Sequence, residues 1–73
     1  MANSIIDDQF AALAREVVMR KRAELQNTHM SAFRVEKLRE LKRELEALKE
    51  AYGVVVTGEV ADDVVRKAMQ QLH

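Results

Sequence analysis

The sequence predicts an all-α fold: a helical hairpin over about 4–25 and 31–52, a short extended connector at 54–56, and a third helix over about 58–72. Three observations carry this. The 73 residues include no proline, and the two glycines, Gly53 and Gly58, fall close together, so the first fifty residues hold no strong helix breaker. Apolar residues recur at spacings of three and four along most of the chain, the pattern of an amphipathic helix. Turn-favouring polar residues gather at Gln26-Asn27-Thr28-His29-Met30-Ser31.

The first helix starts at Asn3 or Ser4 as N-cap, with Asp7 three residues after Ser4 in a variant of the capping box. Ile6, Phe10, Leu13 and Val17 form its apolar stripe, which Ala14, Val18 and Leu25 widen. In the 26–31 stretch, Asn, Thr and Ser side chains compete with helical hydrogen bonding. A turn is expected there, with Thr28 or Ser31 capping the next helix, although nothing in the stretch forbids a continuous helix.

The second helix carries Leu38, Leu41, Leu45, Leu48 and Tyr52 at strict three–four spacing. Opposite charges three or four apart (Glu36–Arg39, Glu40–Arg43, Glu46–Lys49, Lys42–Glu46) add about 0.2–0.5 kcal/mol each. Gly53 serves as its C′ stop. The leucine seam suits either a coiled coil or an intramolecular hairpin. It covers only about two heptads, and taking Leu38 as position a sets Glu44 favourably against Lys49 but Lys37 against Lys42 across a parallel dimer, so the pattern specifies no dimer and the hairpin is preferred.

Val54-Val55-Val56 reads as an extended connector or a brief strand. It either closes over the core, the preferred reading for so small a domain, or adds to a partner's sheet edge. Thr57 caps the third helix, on which Val60, Val64, Ala68 and Leu72 share a face beside Val65 and Met69. Glu59, Asp62 and Asp63 come early and Arg66 and Lys67 later, as the helix dipole favours.

A chain of this length makes one small domain, 1–73, whose core supplies roughly 3–5 kcal/mol. There is no cysteine, so no disulfide or thiolate metal site reinforces it. No basic, apolar leader opens the chain, and no apolar run approaches the roughly 20 residues of a membrane span; a cytoplasmic protein without a membrane partner is expected. Chemistry-bearing motifs are missing too. No glycine loop cradles phosphate, His29 is isolated in the turn, His73 is terminal, and Asp62 and Asp63 are adjacent, so they point apart on a helix. The expectation is a protein that is not an enzyme, with no metal, no cofactor and no small-molecule ligand.

The charge pattern is the functional signal. Formal net charge is zero, yet residues 15–43 hold nine bases against four acids, and the stretch from Glu44 onward holds six acids against three bases. Helix-end compensation explains part of Arg20-Lys21-Arg22, and Glu36 and Glu40 offset part of the second run. A hairpin folded at 26–31 brings Arg20-Lys21-Arg22 toward Arg34 and Lys37, and such a cluster repels itself unless an anionic partner offsets it. The candidate partner-binding residues are therefore Arg15, Arg20, Lys21, Arg22, Arg34 and Lys37, facing acidic protein or exiting RNA. Free nucleic-acid binding is disfavoured by the neutral balance and by only three aromatics, Phe10, Phe33 and Tyr52, which make no stacking platform.

The opening Met-Ala-Asn-Ser-Ile-Ile-Asp-Asp, the 73-residue length, the basic middle and the Leu38–Tyr52 seam resemble the small phage-encoded RNA polymerase-binding regulators, the inhibitor and antiterminator type carried by a Xanthomonas phage. The resemblance spans the whole chain. It implies binding to host polymerase at the N-terminal part of the β′ subunit near the β flap and RNA exit channel. It also implies inhibition of initiation by σ displacement, read-through of terminators, and residence in the host bacterial cytoplasm. The family has no catalytic residues to carry over. The chain is expected to act as a monomer. The rival readings are a dimeric helical DNA-binding repressor and a coiled-coil-like structural adaptor.

Overall fold

The computed structural model describes residues 4–72 and contains three helices: α1 (Ser4–Gln26), α2 (Ser31–Tyr52) and α3 (Gly58–Met69), the last running into a 3-10 turn, Gln70–Leu72. No strand occurs among the described residues, and the all-α hairpin with a third helix stands as expected. The capping roles assigned to Asn3 and Ser4 lie outside the described residues and side chains. No helix is long and apolar enough to cross a membrane among the described residues.

The molecule is elongated, 45 × 17 × 14 Å, because the hairpin sets its length. Helices of 23 and 22 residues extend about 33 Å at 1.5 Å per residue, whereas the 12 residues of α3 extend only about 18 Å. The third helix therefore covers about half of the hairpin. Packing locates that half. Phe10 of α1 is buried with Val56 and Ala61, and Ile6 and Tyr52 pack on the same cluster. Further along, Ala68 of α3 joins Ala14, Val18, Leu41 and Leu45, with Leu72 against the group. So α3 runs alongside α1 in the same direction, from the level of Phe10 to that of Val18. It covers the proximal half, made of the start of α1 and the end of α2. The distal half, toward the 27–30 turn, is two helices wide.

Burial follows this geometry. Phe10, Ala14, Val18 and Leu41 are fully enclosed, and Leu45 is 3% exposed. Phe10 and Tyr52 stack at 5.3 Å between ring centroids, tilted by 42°, a geometry that adds about 0.5–1.5 kcal/mol beyond area burial. The leucine seam is not buried throughout: Leu41 and Leu45 are core, Leu48 and Tyr52 are half-buried, and Leu38 is 42% exposed. The seam is thus an intramolecular packing surface that runs out distally.

Three local expectations need correction. The helix breaks at the turn, but neither Thr28 nor Ser31 caps α2. Its N-cap is Met30, with no side-chain cap bond, while the Thr28 hydroxyl donates backward to the Glu24 carbonyl at 3.0 Å. The Thr28 hydroxyl thus joins the Asn27 amide on the Glu24 carbonyl at the end of α1 rather than reaching forward to α2. Gly53 ends α2 but stays right-handed, φ −62° and ψ −16°; the amides of Val55 and Val56 both reach the Tyr52 carbonyl, so the last turn unwinds without a left-handed residue. The expected extended connector at 54–56 is instead a turn, and the valine run divides: Val56 is 2% exposed and closes the core, whereas Val54 is 91% and Val55 46% exposed. Thr57 caps α3 as expected, accepting from the Val60 amide at 3.3 Å.

Candidate functional site

Each of the six cations singled out from the sequence has a definite place. Lys21 is the buried one. Its residue is 7% exposed, and its ammonium lies 3.0 Å from Glu24, 3.1 Å from Glu40 and 3.7 Å from Glu44. Burial by itself pulls the Lys21 ammonium down. The hydrogen bonds to Glu24 and Glu40, with the charges of Glu44 and Glu24, outweigh that and hold it above the ordinary lysine range. Glu40 shows the reciprocal effect: the hydrogen bond from Lys21 lowers it, against partial desolvation, with help from Lys37. Lys37 extends the cluster, 3.5 Å from Glu40 and 3.9 Å from Glu24.

Arg34 is also committed inside the hairpin. Its Nη1 donates to the carbonyls of Leu25 at 2.7 Å and Thr28 at 3.2 Å. A guanidinium from α2 thereby closes the end of α1, where no basic residue of α1 itself occupies the last turn. The expected helix-end role of Arg20-Lys21-Arg22 accordingly passes to Arg34, because α1 continues a full turn beyond Arg22. Arg20 makes an exposed pair with Glu16 at 3.4 Å, of a kind worth little. Arg15 is exposed beside α3, in a shallow groove with Ala11, Val64, Lys67, Ala68 and Gln71. Arg22 is half-buried.

The hairpin does bring the two basic stretches together, but three carboxylates come with them. The expected self-repulsion is replaced by a cross-helix ionic cluster centred on Lys21, and Lys21 and Arg34 are spent on the fold. Among the described residues, Arg15, Arg22 and Lys42 make no ion pair. Lys42 was not singled out from the sequence, where Glu46 four residues on looked like its partner. Instead Glu46 pairs with Lys49 at 3.8 Å, and Arg43 reaches Glu36 rather than Glu40. Once tertiary contacts claim Glu40, local pairing rules lose their hold on it.

Asp62 and Asp63 are likewise structural. Asp62 accepts from Lys49 of α2 at 2.7 Å, tying α3 to the hairpin. Asp63 pairs with Lys67 and Arg66 within α3, and the Lys67 hydrogen bond foremost lowers its pKa. No three His, Asp or Glu side chains gather in metal-ligating geometry among the described residues.

The distal half leaves large apolar side chains in solvent. Val35 is 49% and Leu38 42% exposed on α2, with Phe33 55% and Met30 63% exposed at the tip. Their register is set by one contact. Lys49 faces α3 through Asp62; Lys42, Leu38 and Val35 lie 7, 11 and 14 residues before it, near-whole numbers of helical turns, and so share its face. On α1, Ala11 and Arg15 flank α3, and Val18, Arg22 and Leu25 continue that side at spacings of three and four. Two cations without an ion pair among the described residues, Arg22 and Lys42, thus flank exposed Leu38 and Val35 on the face that α3 occupies lower down.

No protein family matches the chain, nor does any curated protein or solved structure.

Proposed function

We propose that the protein is a noncatalytic transcription regulator that docks on host bacterial RNA polymerase, at the β′ N-terminal region near the flap and RNA exit channel. There it inhibits initiation by displacing σ and promotes antitermination. Support comes from the resemblance of the chain to small phage-encoded polymerase-binding regulators. The single observation that carries a docking role is the distal hairpin surface, where exposed Leu38 and Val35 lie between unpaired Arg22 and Lys42. Apolar area supplies affinity there and the cations supply orientation. A charge-neutral chain with so few free cations suits a mixed-charge protein machine better than bare nucleic acid.

The test is retention of core polymerase from host lysate on the tagged protein, followed by crosslinking to identify the subunit. Recovery of β′ crosslinks and loss of σ from the retained enzyme are expected. Absence of polymerase from the eluate removes the reading. A sequence-specific, steeply salt-dependent gel shift by a dimer would instead favour a DNA-binding repressor.

A further inference from the structure

We infer that the distal face of the hairpin is a lane for a fourth helix: an amphipathic, acidic-flanked helix of a protein partner that continues the line of α3 and turns the two-helix half into a three-helix one. The inference deepens the docking reading above and rests on its premise that the distal half is the docking surface. It does not depend on which machine supplies the helix.

The first argument is geometric. In the proximal half, α3 lies over the groove between α1 and α2, and its end reaches the level of Val18 and Leu41 through Ala68 and Leu72. Beyond that level α1 and α2 continue, and the groove continues with them, because both helices keep the same register toward the tip. Residues 19–26 of α1 and 31–40 of α2 remain uncovered, roughly 12–15 Å or two to three turns. The groove is therefore already shaped by the fold for a helix, since a helix fills its lower half.

The second argument is chemical. The stripe of α2 that faces α3 is Val35, Leu38, Lys42, Leu45, Lys49. Where α3 is present, Leu45 is 3% exposed and Lys49 is satisfied by Asp62 of α3 at 2.7 Å. Beyond the end of α3, Leu38 is 42% and Val35 49% exposed, and Lys42, beside that end at the level of Leu41, makes no ion pair among the described residues. The protein thus shows on its own α3 what this stripe takes: apolar side chains against the leucines, and a carboxylate against the lysine. Arg22, on the opposite wall, calls for a second carboxylate. Occupant polarity follows, with leucine-type residues at i, i+3, i+4 and i+7 and acids on both edges. A nucleic acid would leave Leu38 and Val35 without apolar contact and would find only a pair of free cations in the lane.

The experiment uses the full chain, isotopically labelled, titrated with a synthetic 18-residue helical peptide that carries leucines at that spacing and glutamates on both edges. Its counterpart with lysines for the glutamates, a scrambled version and a short duplex DNA serve as comparisons. Amide shifts concentrated at Arg22, Val35, Leu38 and Lys42 are expected with the acidic peptide. Binding at least tenfold weaker is expected for the lysine peptide and for the Leu38→Glu and Lys42→Glu variants. Both positions are exposed, and circular dichroism melts check that the variants fold; Val54→Glu, at the other end of the molecule, should bind as the parent does.

The proposal is overturned by no shifts up to about 1 mM peptide, by equal response to the scrambled or lysine peptides, by shifts centred on Val54 and Val55, or by tighter binding of the duplex at the same residues. It is also overturned if sedimentation shows the lane filled by a second copy, with dimerisation abolished by Leu38→Glu. The polymerase reading separates cleanly. Polymerase retained equally by the parent and by Leu38→Glu sinks the lane and spares that reading; peptide bound in the lane with no polymerase retained does the reverse.

Discussion

Lys21 of α1 and Glu40 of α2, nineteen residues apart, meet at 3.1 Å across the hairpin. They form the centre of the cluster that joins the two helices distally, where α3 does not reach. Glu24 and Glu44 complete the shell of Lys21, and the lysine stem fills space that an apolar residue fills elsewhere on α1. Removing the ammonium leaves three carboxylates around one another. Lys21→Met should therefore cost about 1–2 kcal/mol at neutral pH, below the 3–5 kcal/mol of a deeply buried pair because the carboxylates are partly solvated. Urea unfolding should show this deficit shrinking as pH falls toward 4, where protonation relieves the repulsion.

The parent protein should respond to acid in the opposite sense. Glu40 and Asp63 are held below the ordinary carboxylate range in the folded state. Their contribution is present above the unfolded value of about 4 and is lost as pH falls through the lower folded values. Lys21 and Lys49 are raised in the fold, Lys49 chiefly by its hydrogen bond to Asp62. Their contribution is complete below about pH 10.4 and is lost as pH rises through the folded values. A broad neutral plateau with an acid and an alkaline limb is expected in chemical denaturation across pH, and a flat profile at low pH would contradict it.

The seam should divide by position rather than by residue type. Leu41→Ala, in the enclosed core, should destabilise by about 2–5 kcal/mol. Leu38→Ala, one turn away and 42% exposed, should cost about 1 kcal/mol or less. Equal losses in urea melts would mean that Leu38 is covered in solution by another chain.

Arg34 closes the end of α1 from another helix. Arg34→Met should cost about 1–3 kcal/mol, since the Leu25 carbonyl loses a charged donor. Hydrogen exchange should speed up at the amides of Asn27 and Thr28, whose acceptors are the Glu24 and Leu25 carbonyls, while the amides near Phe10 keep their protection.

Thr57→Ala should cost about 1 kcal/mol by removing the side-chain acceptor for the Val60 amide. Thr57→Ser should be close to neutral. The loss should appear in thermal melts as fraying of α3, with the distal ionic cluster untouched.

Local patterns were legible because they arise from neighbours in sequence. The spacing of Phe10, Ala14 and Val18, and of Leu41 and Leu45, identifies the faces that pack; the polar run at 26–31 marks the break; Thr57 marks the start of α3. The candidate cations were legible chiefly as charges. Spacing does set Lys21 on the enclosed stripe of α1, three residues after Val18 and four before Leu25, and Arg22 to the side of it; it does not reveal the carboxylates of α2 that Lys21 meets. Nor does spacing reveal that Arg34 bonds α1 or that Lys42 lacks a carboxylate.

The sequence by itself therefore determined the three helices, their order and their apolar faces, since hydrophobic periodicity and capping act within a few residues. Only the tertiary structure decided which charges are free. Folding the hairpin sets Glu24, Glu40 and Glu44 around Lys21, and the short reach of α3 decides where the groove closes. Coulombic partners and lateral cover depend on distances between helices, and no spacing along a single helix encodes them. That is why a basic stretch that looked like one patch resolves into an internal cluster, a helix-end clamp and two unpaired cations flanking exposed leucine and valine.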